Sequence, residues 1–584
     1  MTRIGFHGQP LALLAGTALT LAPLLTPSDA AACGGNFCDS GPTSMPVDQT
    51  GENILFEIGP DYVEAHIQIQ IDTTTEAEKF AWVIPVTALP EFAIGSERLF
   101  ENMLAGSVPR YGSTTQTEFC GSPGEDDGGS GDGDGDPTTS GGATGDGDDG
   151  PSEPTVVYQA SVGAYEIAVL DGGTVEGVMQ WLGDNGYQQD PAAEPILAEY
   201  LAEDFLFVAL KLGVDQDIAD IHPIVIRYAG TEPCVPIRLT RIAAAEDMDI
   251  RTFFLGDART VPINYRHVLI NPLMLDWFNQ ADNYKEVISM AVDADHADGH
   301  AFVTEYAGPS NVISLFGVYD ETWDAAAIAG LADSPVGLYD VLASQGLMSC
   351  SVPAMTCNIG HTQLQPLLDQ YVPVPAGVNP IEFWACMDCY ADLVDLEAWD
   401  PVAFSQAFDE RIVQPGLRAF DLVTGNPYLT RMYTTLSPNE MTADPMFREN
   451  PTLPEVERSR MASRYDACDG STTVTLPDGR EVYFGPNKVL TWPHFQGRMP
   501  WAEAVEQEGM AEAAPLIRLA DNTEQIDALL DEWNRQGAGA TGEDPSADDN
   551  GGDCACSVDE DQPLGLAFGL ATLGLFGLIR RRRS

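Results

Sequence analysis

The strongest constraint on the fold lies between Asn53 and Val86. There the chain reads ILFEI, then YVEAHIQIQI with apolar and polar residues in alternation, then FAWVIPV. Successive side chains of a strand point to opposite faces, so a period of two fits a strand with one face in a core and does not fit a helix. Three such runs in close succession predict a half-buried antiparallel sheet. Ser96 precedes Leu99, Phe100, Met103 and Leu104, which recur at helical spacing. A serine there accepts hydrogen bonds from first-turn N–H groups, so the pattern predicts a capped helix closing a β-rich unit.

Further along, VVYQASVGAYEIAVL predicts a strand pair, Thr174 to Asn185 a helix with Val175, Val178, Met179 and Leu182 on one face, and Pro195 to Glu203 a second helix. FLFVALKL, PIVIRYAG, VPIRLTRIA and IRTFFLG read as strands, and their continuous apolar runs suggest a sheet covered on both faces. Strands and helices mix without regular βαβ alternation. The expected class is therefore α+β, with mixed, largely antiparallel sheets and covering helices in the N-terminal half and a more helical C-terminal half. Helical spacing recurs at Asp324–Leu331, Gly337–Gln345, Gln363–Gln370 and Val402–Phe420, and Thr523–Gln536 reads as a last helix. Pro477-Asp-Gly479 lies between two alternating runs and predicts a hairpin.

Residues 121–154 are dominated by Gly, Asp, Ser, Thr and Pro, with no large apolar anchor. Such a segment cannot offset its ordering entropy and reads as a flexible surface insertion. Asp132, Asp134 and Asp136 within it lack the spaced ligands and closing glutamate of a calcium loop. Over the whole chain 89 acidic residues face 28 basic ones, a formal charge of −61. That balance argues against nucleic acid or anionic lipid as a partner of the soluble part. It reads first as a solubility adaptation to salt, and second as a surface that collects divalent cations diffusely.

Both ends carry address-like patterns. Arg3, the apolar stretch Leu11–Leu25 and Ala30-Ala31-Ala32 follow the order of a secretory signal peptide over residues 1–32, with Pro23 and Pro27 opposing a buried helix. Acylation of Cys33 is the rival reading, weakened by Ala30. At the other end an acidic linker, 536–562, leads into the tail 563–584: an apolar run from Leu564 to Ile579, then Arg580 to Arg583. At about 1.5 Å per residue that run is marginally short for a bilayer core of about 30 Å. The arginines would stay cytoplasmic and the acidic bulk outside.

Eleven cysteines in an exported chain are better read as disulfides than as a cytosolic metal site. Cys33 with Cys38, Cys350 with Cys357, and Cys386 with Cys389 are close enough in sequence to pair, though spacing leaves the connectivity open. Without Cys554 and Cys556 the number is odd, so at least one thiol is unpaired, intermolecular or modified.

Two resemblances follow from these residues. CGGNFC at Cys33–Cys38, PVDQTGENILF, FAWVIPV, SVGAYEIAVL, WLGDNGY, FVALKL, GTEPCVPIRLT and AFVTEYAGP occur in one order, and together resemble the bacterial domain-of-unknown-function 2330 family over about residues 33–309. That resemblance implies no activity. Beyond it, the helical spacing makes 310–535 read as a helix-rich C-terminal region. The tail, with Cys554-Ala-Cys556, a short apolar helix and terminal arginines, resembles the myxobacterial C-terminal sorting signal. That implies lipidation of Cys554 or Cys556 and removal of the tail by sorting machinery; an uncut single-span anchor is the alternative.

Chemistry is less legible. Asp293, Asp295, His296, Asp298 and His300 form the densest ligand cluster, and two imidazoles four residues apart share a face of a helix and suit zinc. Gly299 disfavours that helix, the metalloprotease glutamate is missing and the calcium-loop register is off by one. The cluster therefore reads as a polar turn before a strand, with zinc or calcium as the weaker reading and no cofactor expected. Cys386-Met-Asp-Cys389 has redox-motif spacing without a thioredoxin-like context. Three functions are compatible: a non-enzymatic structural or ligand-binding surface protein, favoured; an exported hydrolase or metal-dependent enzyme joining His296 and His300 to a third group; and a thiol oxidoreductase with an exposed, electropositively placed Cys386 or Cys389.

Overall fold

The computed structural model describes residues 49–71, 81–118, 153–187, 191–213, 220–242, 244–331, 334–351, 353–486, 490–508 and 516–538. The signal-peptide pattern, Cys33, Cys38, nearly all of the Gly/Asp insertion, the acidic linker from residue 539, Cys554, Cys556 and the apolar tail lie outside the described residues.

A ten-stranded sheet runs through the molecule. Its order, edge to edge, is Ile517–Asp521, Ala502–Gln507, Arg266–Ile270, Ala301–Pro309, Tyr428–Leu436, Met248–Gly256, Gln49–Ile58, Tyr62–Ile71, Ile224–Ala229 and Glu91–Ile94. Gln49–Ile58 runs parallel to Met248–Gly256, and Arg266–Ile270 parallel to Ala301–Pro309. The other neighbours are antiparallel. The alternation in Tyr62–Ile71 is expressed directly: Val63, Ala65 and Ile67 enter the core, while Glu64 and His66 point to the other face.

A four-stranded antiparallel sheet, Ala81–Val86, Leu206–Leu212, Tyr165–Asp171 and Thr155–Val162, lies against that apolar face. Ile84, Val169, Val208 and Leu210 close on Ile54, Phe56, Ala65 and Ile226 in one core. Its outer face is covered by helices Val175–Asp184 and Ala193–Ala202, whose Val178, Leu182, Ile196 and Leu197 pack on Val83, Phe207 and Ala209. Leu206–Leu212 is thus buried on both sides, which accounts for its continuous apolar run.

Helices Glu97–Ser107 and Gln414–Gly425 cover the other face of the large sheet, with Leu99, Phe100, Met103, Ala419 and Leu422 against Leu55, Phe253 and Leu255. Ser96 caps the first of them, its Oγ accepting from Leu99 N at 3.3 Å. Between them in sequence is a helical lobe whose core gathers Trp323, Leu342, Leu364, Phe383, Phe404 and Phe408. Pro401–Phe408 continues through a π-turn, Asp409–Val413, into Gln414–Gly425. The hairpin at Pro477–Gly479 pairs Thr472–Thr475 with Glu481–Phe484, in a second four-stranded sheet with Ser459–Asp466 and Arg110–Thr117 that packs on helix Thr523–Ala538.

The fold is α+β with mixed, mostly antiparallel sheets, as its sequence pattern implies. One expected strand is not formed. In VPIRLTRIA, residues Ile237–Thr240 make a single helical turn. Pro236 has no N–H to donate to a ladder, and the Arg238 N–H donates to the Asp444 carboxylate at 3.0 Å instead.

Candidate functional site

Between the two facing sheets lies a cavity of about 140 Å³. The large sheet supplies Ile54, Phe56, Ala65, Ile67 and Ile226 to its wall, the smaller sheet Ile84 and Val86, and Phe205, Cys234 and Met446 close it. Glu232 is the one charged residue on the lining, so the cavity suits an apolar guest.

Cys234 is the free cysteine among the described residues, and its backbone bridges to Met446. Burial, with the Asp444 carboxylate next in importance, holds its thiol well above the usual thiol range. A thiol so biased is a wall group rather than a nucleophile. Beside it Asp444 accepts from the Tyr200 hydroxyl at 2.8 Å and from Arg238 Nε at 2.9 Å. Arg238 also grips Glu203 through two hydrogen bonds of 2.8 and 2.7 Å and stacks 4.0 Å from the Tyr200 ring centroid. Every strong donor and acceptor there is spent on a neighbour, so the network fixes the cavity wall.

Asp293 caps the C-terminus of helix Tyr284–Val292, and the chain then turns through Asp295, His296 and Asp298 before strand Ala301–Pro309. His296 and Gly299 both take φ +73°, so the two histidines do not share a helix face. Asp295 is 97% exposed. His300 is engaged at both nitrogens, with the Asp298 carbonyl at 2.9 Å and Thr442 Oγ1 at 2.8 Å. Among the described residues no three His, Cys, Asp or Glu side chains are arranged to hold a metal ion. Asp293 turns instead toward Glu440, and burial followed by the Asp293 charge pushes the Glu440 carboxyl up to about 7.

Cys350–Cys357 and Cys386–Cys389 are disulfides. Cys389 is exposed, but Glu382, Asp388 and Asp392 surround the second bridge in sequence, and Glu382 accepts from Tyr390 at 3.2 Å. This acidic setting opposes the thiolate a redox enzyme needs. Cys468 is also disulfide-bonded.

A second histidine arrangement joins residues far apart in the chain and has no local signature in the sequence. His267 Nε2 lies 2.9 Å from Thr304 Oγ1, and Nδ1 lies 3.2 Å from Glu506 Oε2. The order hydroxyl, imidazole, carboxylate is that of a nucleophile, its base and an orienting acid. Yet Arg259 Nη2 also faces Nε2, at 3.3 Å, and burial first, opposed by Glu506, lowers the imidazole's proton affinity. His267 and Thr304 are both buried within the sheet, and neither lines the cavity. The cross-strand register His267↔Glu506 makes this a sheet-bracing contact.

These features define an α+β domain built on two facing sheets with an apolar chamber between them. The chain belongs to the family described as an uncharacterized protein conserved in bacteria, DUF2330, whose model matches residues 27–323, just over half of the sequence. Comparison with curated proteins and with solved structures gives no match. Among the described residues no helix is long and apolar enough to cross a membrane.

Proposed function

We propose that the chain is an exported protein displayed at the cell envelope, whose folded part binds a ligand through an apolar group seated between the sheets. The cavity carries this reading: its volume of about 140 Å³ approaches that of a dry engineered cavity, about 150 Å³, that accepts benzene. Export is supported by the N-terminal pattern and by bridges that persist in oxidising compartments. In this reading the tail engages sorting machinery and holds the protein at the membrane, with Cys554 or Cys556 as the lipid acceptor, and nucleic acid is not a partner.

Melting of the full chain with and without toluene tests the binding reading. Toluene raises the melting temperature of the wild type and leaves Ala65→Phe, which fills the chamber, unmoved. No shift in the wild type, or equal shifts in both, overturns it. Intact mass of protein released from membranes tests the delivery reading: loss of both ends with added lipid mass supports it, and an intact, unmodified tail refutes processing.

A further inference from the structure

On the face of the large sheet opposite the cavity, Glu57, Glu64 and Arg227 form a row across three adjacent strands, in the registers Glu57↔Glu64 and Glu64↔Arg227. Helix Gln414–Gly425 forms the opposing wall. Its spacing brings Gln414, Arg418 and Asp421 to the same recess, with Leu417 and Leu422 beside them, and the recess measures about 370 Å³.

Two carboxylates directly opposite across strands repel, so packing alone does not favour this row. Glu64 is only 3% exposed. His66 Nε2 at 3.0 Å and Arg418 Nη1 at 3.2 Å hold it. The remaining charges are fixed in place but not used up. Arg227 stacks 3.7 Å from the Tyr62 ring centroid, and among the described residues its guanidinium makes no hydrogen bond, only a 3.7 Å ion pair with Glu64. Glu57 accepts from the Tyr62 hydroxyl and from Asn426 Nδ2, each at 3.1 Å. Asp421 completes the acidic side.

The charge pattern selects the guest. A simple anion meets Glu57, Glu64 and Asp421 within a chain of net charge −61. A metal ion or simple amine meets two guanidiniums and leaves the Arg227 N–H groups without an acceptor at hydrogen-bond distance among the described residues. A ligand carrying both charges satisfies both sides. We infer that this recess binds a small zwitterion of the α-amino acid type, its carboxylate on Arg227 and Arg418, its ammonium at Glu57 and Asp421, and an aliphatic side chain against Leu417 and Leu422. This site is independent of the apolar chamber.

Calorimetric titration of the full chain with L-leucine, isovalerate and isopentylamine tests it, since the last two keep one charge each. Leucine is expected to bind more tightly than either by about thirtyfold or more. Arg227→Gln and Asp421→Asn each lose leucine binding by a similar factor, and Asp421→Asn, at an exposed position, does so with melting unchanged. Absence of leucine binding up to about 10 mM, or equal binding of a single-charge analogue, overturns the inference. The wild-type comparison stands even where a variant fails to fold.

Discussion

Gly163 and His222 meet so closely that the turn at Gly163 has no room for a side chain: a β-carbon there would overlap His222 Nε2. That nitrogen accepts from the Ala164 N–H at 3.1 Å, while Nδ1 donates to the Pro223 carbonyl at 2.9 Å. Gly163 also takes φ +57°. Gly163→Ala combines a clash with a left-handed backbone and is expected to cost about 2–4 kcal/mol. A drop in urea midpoint reads this, and an unchanged midpoint contradicts the packing.

Burial pushes His222 and His361 down to about 4. Each is neutral in the fold, and the unfolded chain takes up its proton at about 6.5. The unfolded state therefore binds more protons between those values, so this stability is complete above pH 6.5 and is lost as pH falls toward 4. His361→Gln should flatten the dependence of unfolding free energy on pH in that window, by at most about 1.4 kcal/mol per pH unit. Identical slopes in the two proteins would remove the assignment.

Glu440 works in the opposite sense. Its carboxyl is raised to about 7, so the folded state holds a proton that the unfolded state has already released. The stabilisation is present below about pH 4.5 and is lost as pH rises through 7. Glu440→Gln, which cannot ionise, should gain on the wild type as pH increases across that range. A pH-independent difference between the two would count against burial and the Asp293 charge holding the Glu440 carboxyl up.

Arg238 is the main counter-charge of the buried Asp444. Arg238→Met strands that carboxylate and is expected to cost about 3–5 kcal/mol, with Asp444→Asn in the same chain restoring part of the loss. Chemical denaturation of the single and double variants measures both. Additive losses would mean that the two residues do not depend on each other.

The local grammar of the fold was legible. The alternation in Tyr62–Ile71, the Ser96 cap and the Pro477–Gly479 hairpin each depend on neighbours within a few residues, and each is present. What stayed hidden depends on contacts between distant parts of the chain. Ile237–Thr240 looked like a strand because its competitor, the Asp444 carboxylate, lies 206 residues away. The dense His296–His300 cluster drew attention as a ligand motif, whereas the charged row of Glu57, Glu64 and Arg227 had no signal until strand register placed it together. Apolar lining residues reveal burial but not an empty space among them, so the chamber was equally silent.

Strand Tyr428–Leu436 fills the place between Ala301–Pro309 and Met248–Gly256, although the family match ends at residue 323. A ribosome delivers the chain from its N-terminus, so both flanking strands emerge more than a hundred residues before the one that joins them. Until then each offers an open row of backbone donors and acceptors to any passing strand. The order of synthesis therefore leaves this edge open until the C-terminal third emerges, and a product cut after residue 323 would retain the adhesive gap for its lifetime.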